Sequence, residues 1–263
     1  MNIDLHTLSC IIFAFISGVI PTLIWLWFWT RQDKKNPEPK SMIALAFIGG
    51  MVAVFISLFL EKYFYGLGLK NLFSNSIFEP ILPAIENIAK QANVGIDKIL
   101  LVVIFAPIIE ELSKFLMAYI LVLRSKTNDE PIDPMIYMIT TALGFAAIEN
   151  MLFLINPFEN RDILLTIFTG NMRFVGATLL HTISSATIAM FMSFTFFKHK
   201  AEKFVFTIVG IISAIFIHGV FNMLMVGDQS NSIIALQLIW ITVIIILFAF
   251  EKIKKIKREN INQ

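Results

Sequence analysis

The chain has 263 residues, 57% of them hydrophobic and 26 of them Phe, with a net charge of +2. That apolar share is far above a soluble domain's and excludes a water-soluble enzyme, while the near-neutral charge gives no reason to expect nucleic acid as a partner. The single cysteine, Cys10, excludes an internal disulfide and every multi-cysteine metal site.

Seven apolar runs are long enough to span a bilayer, near 8–29, 41–60, 98–123, 135–156, 172–197, 203–226 and 232–251, and the fifth has room to begin earlier. Asp4 and the absence of Lys or Arg ahead of the first run, together with its length, argue against a cleaved signal peptide. Pro21 is expected to kink that run, and Trp25, Trp27 and Trp29 fit an interfacial belt. The longest connection, about 61–97, carries an amphipathic patch from Ile77 to Ile88 that suits a packed surface segment rather than a lid.

Of the 21 basic residues, fourteen fall after the first, third and fifth runs or in the C-terminal tail, and six on the opposite side. The last, Lys114, lies within a run. This bias predicts an outside N-terminus and a cytoplasmic C-terminus, with Lys252 to Arg258 anchoring the tail at anionic headgroups. The expected fold is an all-α polytopic bundle of about seven transmembrane helices. It forms a single integral-membrane domain over 1–263, with no internal repeat and a core over about 98–226.

Four of these runs carry polar groups that lipid disfavours. The third holds Glu110, Glu111 and Lys114, the fourth Glu149 and Asn150, the fifth His181, and the sixth His218 and Asn222. One uncompensated charge at the bilayer centre costs about 2.5–3.5 kcal/mol on the translocon scale. Glu110 and Lys114 share a helix face, as do His218 and Asn222, each pair being four residues apart. Two adjacent glutamates with one lysine leave a carboxylate over. At 1.5 Å per residue, Glu149, His181 and His218 come to roughly the same depth, with Glu110 somewhat deeper, which predicts one shared polar cavity.

Glu, His and Asn together suit hydrolysis: a carboxylate takes a proton from water while His and Asn bind the developing oxyanion. All seven Asp residues lie in loops or tails, so no aspartyl dyad exists in a span. No His-Glu-x-x-His occurs, and Ser184 and Ser185 lack a Gly-x-Ser-x-Gly turn. A glutamate-type hydrolase or a carboxylate–imidazole metal site remains.

In order along the chain, Glu110-Glu111-x-x-Lys114, Gly144-Phe145-x-x-x-Glu149-Asn150, His181 and His218-Gly-x-x-Asn222 resemble the motifs of the PrsW family of intramembrane proteases. That family is grouped with the type II CAAX prenyl endopeptidases and bacteriocin-processing membrane proteases. The resemblance implies that Glu110 and Glu111 are the essential acidic pair and His181 the essential histidine. Glu149, His218 and Asn222 complete the site, with Lys114 and Asn150 in support. It further implies that Glu110 or Glu111 is the base, that His181 positions water, and that His218 and Asn222 bind the oxyanion. Similar proteins often have Asp where this chain has Asn222.

The resemblance leaves both a metal-free and a metal-dependent site open. The expectation taken here is no cofactor, with Zn²⁺ held by Glu110, Glu149, His181 and His218 as the alternative. The implied partner is a single-span membrane-protein substrate of the anti-sigma-factor kind; nothing in the chain specifies an oligomeric state. The strongest rival is a proton- or cation-coupled transporter or channel using the same Glu/His cluster. Against it stand the missing inverted repeat and the lack of paired Gly/Pro-broken helices.

Overall fold

The computed structural model describes residues 5–33, 36–70, 80, 82–91, 93–160, 162–226 and 229–256. Among these the chain is all-helical: α1 (Leu5–Thr30), α2 (Lys40–Gly66), α3 (Leu82–Gln91), α4 (Ile96–Leu123), α5 (Asp133–Glu159), α6 (Ile163–Phe194), α7 (Lys200–Val226) and α8 (Gln229–Ile253). Six of these helices are long and apolar enough to cross a membrane, and α3 with α4, bent by 111° at a break, makes a seventh. The charges of α4 are what set it apart from the six. The protein is a multi-pass integral membrane protein.

Helix α5 is the buried axis. In its most apolar stretch 72% of residues are buried, against 22–33% in the other candidate spans. It packs on α1, α2 and the second half of α6, which in turn packs on α7 and α8. Small residues bring these helices together, because lipid gives little hydrophobic drive and close van der Waals contact must serve instead. A Cβ on Gly144 of α5 would lie 1.9 Å from the Phe47 carbonyl oxygen of α2, and one on Gly50 of α2 would lie 1.9 Å from that of Thr141. Neither helix backbone tolerates a side chain at these crossings.

Several expectations are refined. The fifth span does begin earlier, at Ile163. Pro21 sits within α1, which continues as helix on both sides of it. Of the three tryptophans, only Trp27 is exposed, with the Arg31 guanidinium 4.1 Å from its ring centroid. Trp29 faces the bundle instead: it is 1% exposed and stacks on Phe250 of α8. The helical repeat turns it inward, where aromatic packing decides its place. The amphipathic patch is described from Leu82 onward, plus Pro80; the rest of it lies outside the described residues. Leu82 packs with Leu69 and Leu100, so α3 sits on the bundle as a packed segment.

Gly144→Leu is expected to force α2 and α5 apart. Overpacking of this kind costs about 1–3 kcal/mol, so the purified protein in detergent should show a clearly lowered Tm and reduced yield.

Candidate active site

The helix that carries the acidic pair is loosened just before it. Pro107 has no N–H, and its ring crowds the carbonyl four residues back, that of Val103. Residues Leu101–Phe105 accordingly widen into a π-helical turn, a feature common beside functional sites. Helix α7 covers this turn. Gly219 lies so close that a Cβ there would be 2.7 Å from the Val103 oxygen, and Asn222 Nδ2 donates to the Val102 carbonyl at 2.9 Å. His218-Gly-x-x-Asn222 thus docks α7 onto the broken turn of α4 and fixes where Glu110 and Glu111 point.

Lys114 pairs with Glu111 rather than with Glu110. Its Nζ donates to Glu111 Oε1 at 2.6 Å and to His181 Nδ1 at 3.1 Å, with Lys114 and Glu111 both 0% exposed. An ammonium only donates, so His181 Nδ1 is the acceptor and its Nε2–H donates to Glu149 Oε2 at 2.7 Å. His218 Nδ1 lies 2.8 Å from Glu111 Oε1, and donating there leaves Nε2 with the lone pair. Ser185 Oγ donates to Glu111 Oε2 at 3.3 Å. Both imidazoles are therefore oriented by a carboxylate behind them, the arrangement that fixes histidine tautomers in catalytic and metal sites.

Glu110 is what these groups face. His181 Nδ1 and His218 Nε2 each lie 3.7 Å from Glu110 Oε2, which is buried and has no hydrogen-bond partner. One ligand atom from each of the three side chains lies within 4.8 Å of the others. Three acceptor atoms thus lie near one point, with His181 Nδ1 already taking the Lys114 bond. Such a donor set suits either a divalent cation or the two protons of a water molecule.

The groups meet in a cavity of about 650 Å³ lined by Glu110, Glu149, His181, His218 and Asn222; Glu111 and Lys114 lie behind its wall. The predicted site residues are brought together in full, with a division of place. Glu149 stands behind His181 rather than with Glu110 and the histidines, so the four-ligand set expected for a metal reduces to three among the described residues. Asn150 sits outside the cavity lining, donating to Thr178 Oγ1 at 3.0 Å.

Arg173 is the residue that sequence reasoning missed. Counted with the basic residues flanking the spans, it lies instead within α6, at a further π-helical turn, Arg173–Ala177. Its guanidinium pairs with Glu149 Oε2, donates to Asn150 Oδ1 at 2.6 Å, and covers the Phe153 ring at 4.0 Å. The missed signal was an arginine ahead of His181 in a run that could begin earlier.

Comparisons with known proteins give the family of the chain. The model of the PrsW family intramembrane metalloprotease matches residues 38–250. The chain belongs to the PrsW family. It is 24% identical to Protease PrsW of Geobacillus kaustophilus (strain HTA426) over 82% of each chain. It is 27% identical to Protease PrsW of Clostridioides difficile (strain 630), over 84% of this chain and 83% of the relative. The Bacillus subtilis (strain 168) Protease PrsW is 28% identical over 54% of this chain and 55% of its own. No solved structure matches the chain. The protein is a membrane protease, and the PrsW-like motifs all lie within the matched region.

Arg173→Ala should lower proteolysis about 10–100-fold, the usual effect of removing an outer partner that orients a site histidine through its carboxylate. Arg173→Lys, which keeps the charge but not the two-pronged contact, should recover part of it. Initial rates on a co-reconstituted substrate provide the measurement.

Proposed function

We propose that the protein hydrolyses a peptide bond in or near the membrane segment of a single-span protein, with Glu110 as the base that activates water. The observation that carries this is the charge pairing inside the bundle. Glu111 is held by Lys114 and Glu149 by Arg173, which leaves Glu110 as the one of these three carboxylates without an ion pair to a lysine or arginine. Glu111, walled off from the cavity, orients Lys114 and His218 and does not reach a substrate.

A water placed at the point of convergence donates one proton to Glu110 Oε2 and the other to His218 Nε2, since Lys114 occupies His181 Nδ1. Its oxygen lone pair is then free for the substrate carbonyl carbon. As the C–O bond forms, Glu110 takes the water proton. Asn222 lines the cavity with one amide N–H on Val102 and a second N–H to offer the developing oxyanion. When the C–N bond breaks, Glu110 returns the proton to the leaving amine. The family description names a metalloprotease, and the convergent donors fit one: Glu110, His181 and His218 would hold Zn²⁺, which would polarise the carbonyl and acidify the water. Lys114 weighs against it, because its ammonium would have to leave His181 Nδ1 and remain beside a dication.

Two substitutions separate the glutamates. Glu110→Gln should reduce cleavage about 10²–10⁴-fold, the range for a general base, with Tm unchanged because no ion pair is broken. Glu111→Gln should also lose activity but destabilise the protein by about 3–5 kcal/mol, the cost of leaving a buried partner charge unmatched. Equal Tm values with activity retained in the Glu110 variant would refute the assignment.

Cleavage by the purified protein should persist after chelation and dialysis, with less than one equivalent of metal by elemental analysis. Loss of activity restored by Zn²⁺ would make Glu110 a ligand instead.

A further inference from the structure

Helix α2 contributes a wall of the cavity opposite no known motif. Between Met42 and Leu60 its only side chain able to hydrogen-bond is that of Ser57, and Glu61 follows one turn later. Both residues line the cavity, together with Val54 and Leu58 at helical spacing on the same face. Ser57 is 2% exposed and its Oγ has no hydrogen-bond partner. Glu61 makes no hydrogen bond or ion pair among the described residues. A hydroxyl without a partner and a carboxylate without a counter-ion, four residues apart on the cavity face of this helix, can both take a donor supplied by a bound group.

The charges of the cavity say which donor. Its lining holds Glu61, Glu110 and Glu149 against one cation, Arg173, which is already paired with Glu149. Two carboxylates are left uncompensated. An anionic or purely apolar group entering this space gains nothing from them, whereas an ammonium or guanidinium meets acceptors on both sides of a low-dielectric space.

We propose that Ser57 and Glu61 form a substrate subsite for a cationic side chain, a lysine or arginine of the membrane segment being cleaved. The inference rests on the hydrolase reading above and names its substrate class. Glu110 works on the peptide bond while Glu61, on the facing helix, holds the positive side chain and sets the register of the segment in the cavity. Glu61 is here a specificity-determining residue, separate from the water-activating group.

The test uses the full-length protein in nanodiscs and fluorescent Leu/Ala transmembrane peptides carrying Lys, norleucine or Glu beside the central peptide bond. Binding is read by anisotropy and cleavage by mass spectrometry. The Lys peptide should bind about tenfold more tightly than the norleucine peptide, the scale of a desolvated charge contact, and the Glu peptide most weakly. Glu61→Gln should erase that preference with unchanged Tm, Glu61→Lys should reverse it toward the Glu peptide, and Ser57→Ala should weaken Lys binding alone. Equal binding of the three peptides by the wild type, or a preference that survives Glu61→Gln, overturns the subsite. Charge-selective binding with no cleavage of any peptide supports the subsite and overturns the hydrolase; cleavage without charge selection does the reverse.

Discussion

The Glu111–Lys114 pair is the interaction on which the rest of the site depends. Both side chains are withdrawn completely from solvent inside a membrane bundle, where each ion alone carries a penalty of several kcal/mol. Their contact offsets much of that, and the remaining hydrogen-bonding capacity of each is used to orient a histidine. Lys114 turns His181 so that Nδ1 accepts and Nε2–H faces Glu149. Glu111 turns His218 so that Nδ1–H points away from the cavity. One ion pair therefore sets both tautomers, and with them the free His218 Nε2 lone pair on the Glu110 side.

Such a network holds only if the helices bearing it cannot drift. Four helices contribute: α4 the acids and lysine, α5 Glu149, α6 Arg173 and His181, α7 His218 and Asn222. The crossing of α2 over α5 is fixed at backbone contact by Gly50 and Gly144. The crossing of α7 over α4 is fixed by Gly219 and by the Asn222 bond to Val102. Of the three π-helical turns among the described residues, two lie beside groups of the site: one precedes Glu110 and another begins at Arg173. A regular helix would rotate each of these side chains by part of a turn, enough to move a carboxylate off its imidazole. Packing supplies the stability, and the local departures from regular helix supply the aim.

Much of this was legible in the sequence because lipid makes polar residues conspicuous. Glu110, Glu111, Glu149, His181, His218 and Asn222 stand out in apolar runs, and their common depth foretold a shared cavity. What the sequence left open was partnership. Spacing alone allows Lys114 to reach Glu110 at i, i+4 or Glu111 at i, i+3, and only the position of His181 on another helix decides for Glu111. Arg173 was hidden by an indistinct helix start: Ile163–Met172 carries no charge and none of its residues is buried, so nothing in it marks where the membrane begins. Trp29 shows the opposite failure, an interfacial residue type drawn into the core by a neighbour, Phe250, more than 200 positions away.

The same structure bears on the rival transport function. A transport path must continue from the cavity to the other end of the bundle, where Glu38, Asp133 and Tyr137 form a separate polar cluster around the hydrogen bond between Tyr137 and Glu38. Between the two lie Met138, Ile139 and Leu143 of α5 and Ile183 and Ala186 of α6, each no more than 1% exposed. Three hydroxyls of this layer are already committed, since Thr140, Thr141 and Thr187 each donate to the carbonyl four residues back in their own helix. A proton relay also requires groups that exchange partners, whereas Glu111, Lys114, Glu149 and Arg173 are each held by at least two contacts. What remains is an acid-lined pocket in which one carboxylate, Glu110, lies against two oriented imidazoles, and that asymmetry fits a reaction at one place better than passage through it.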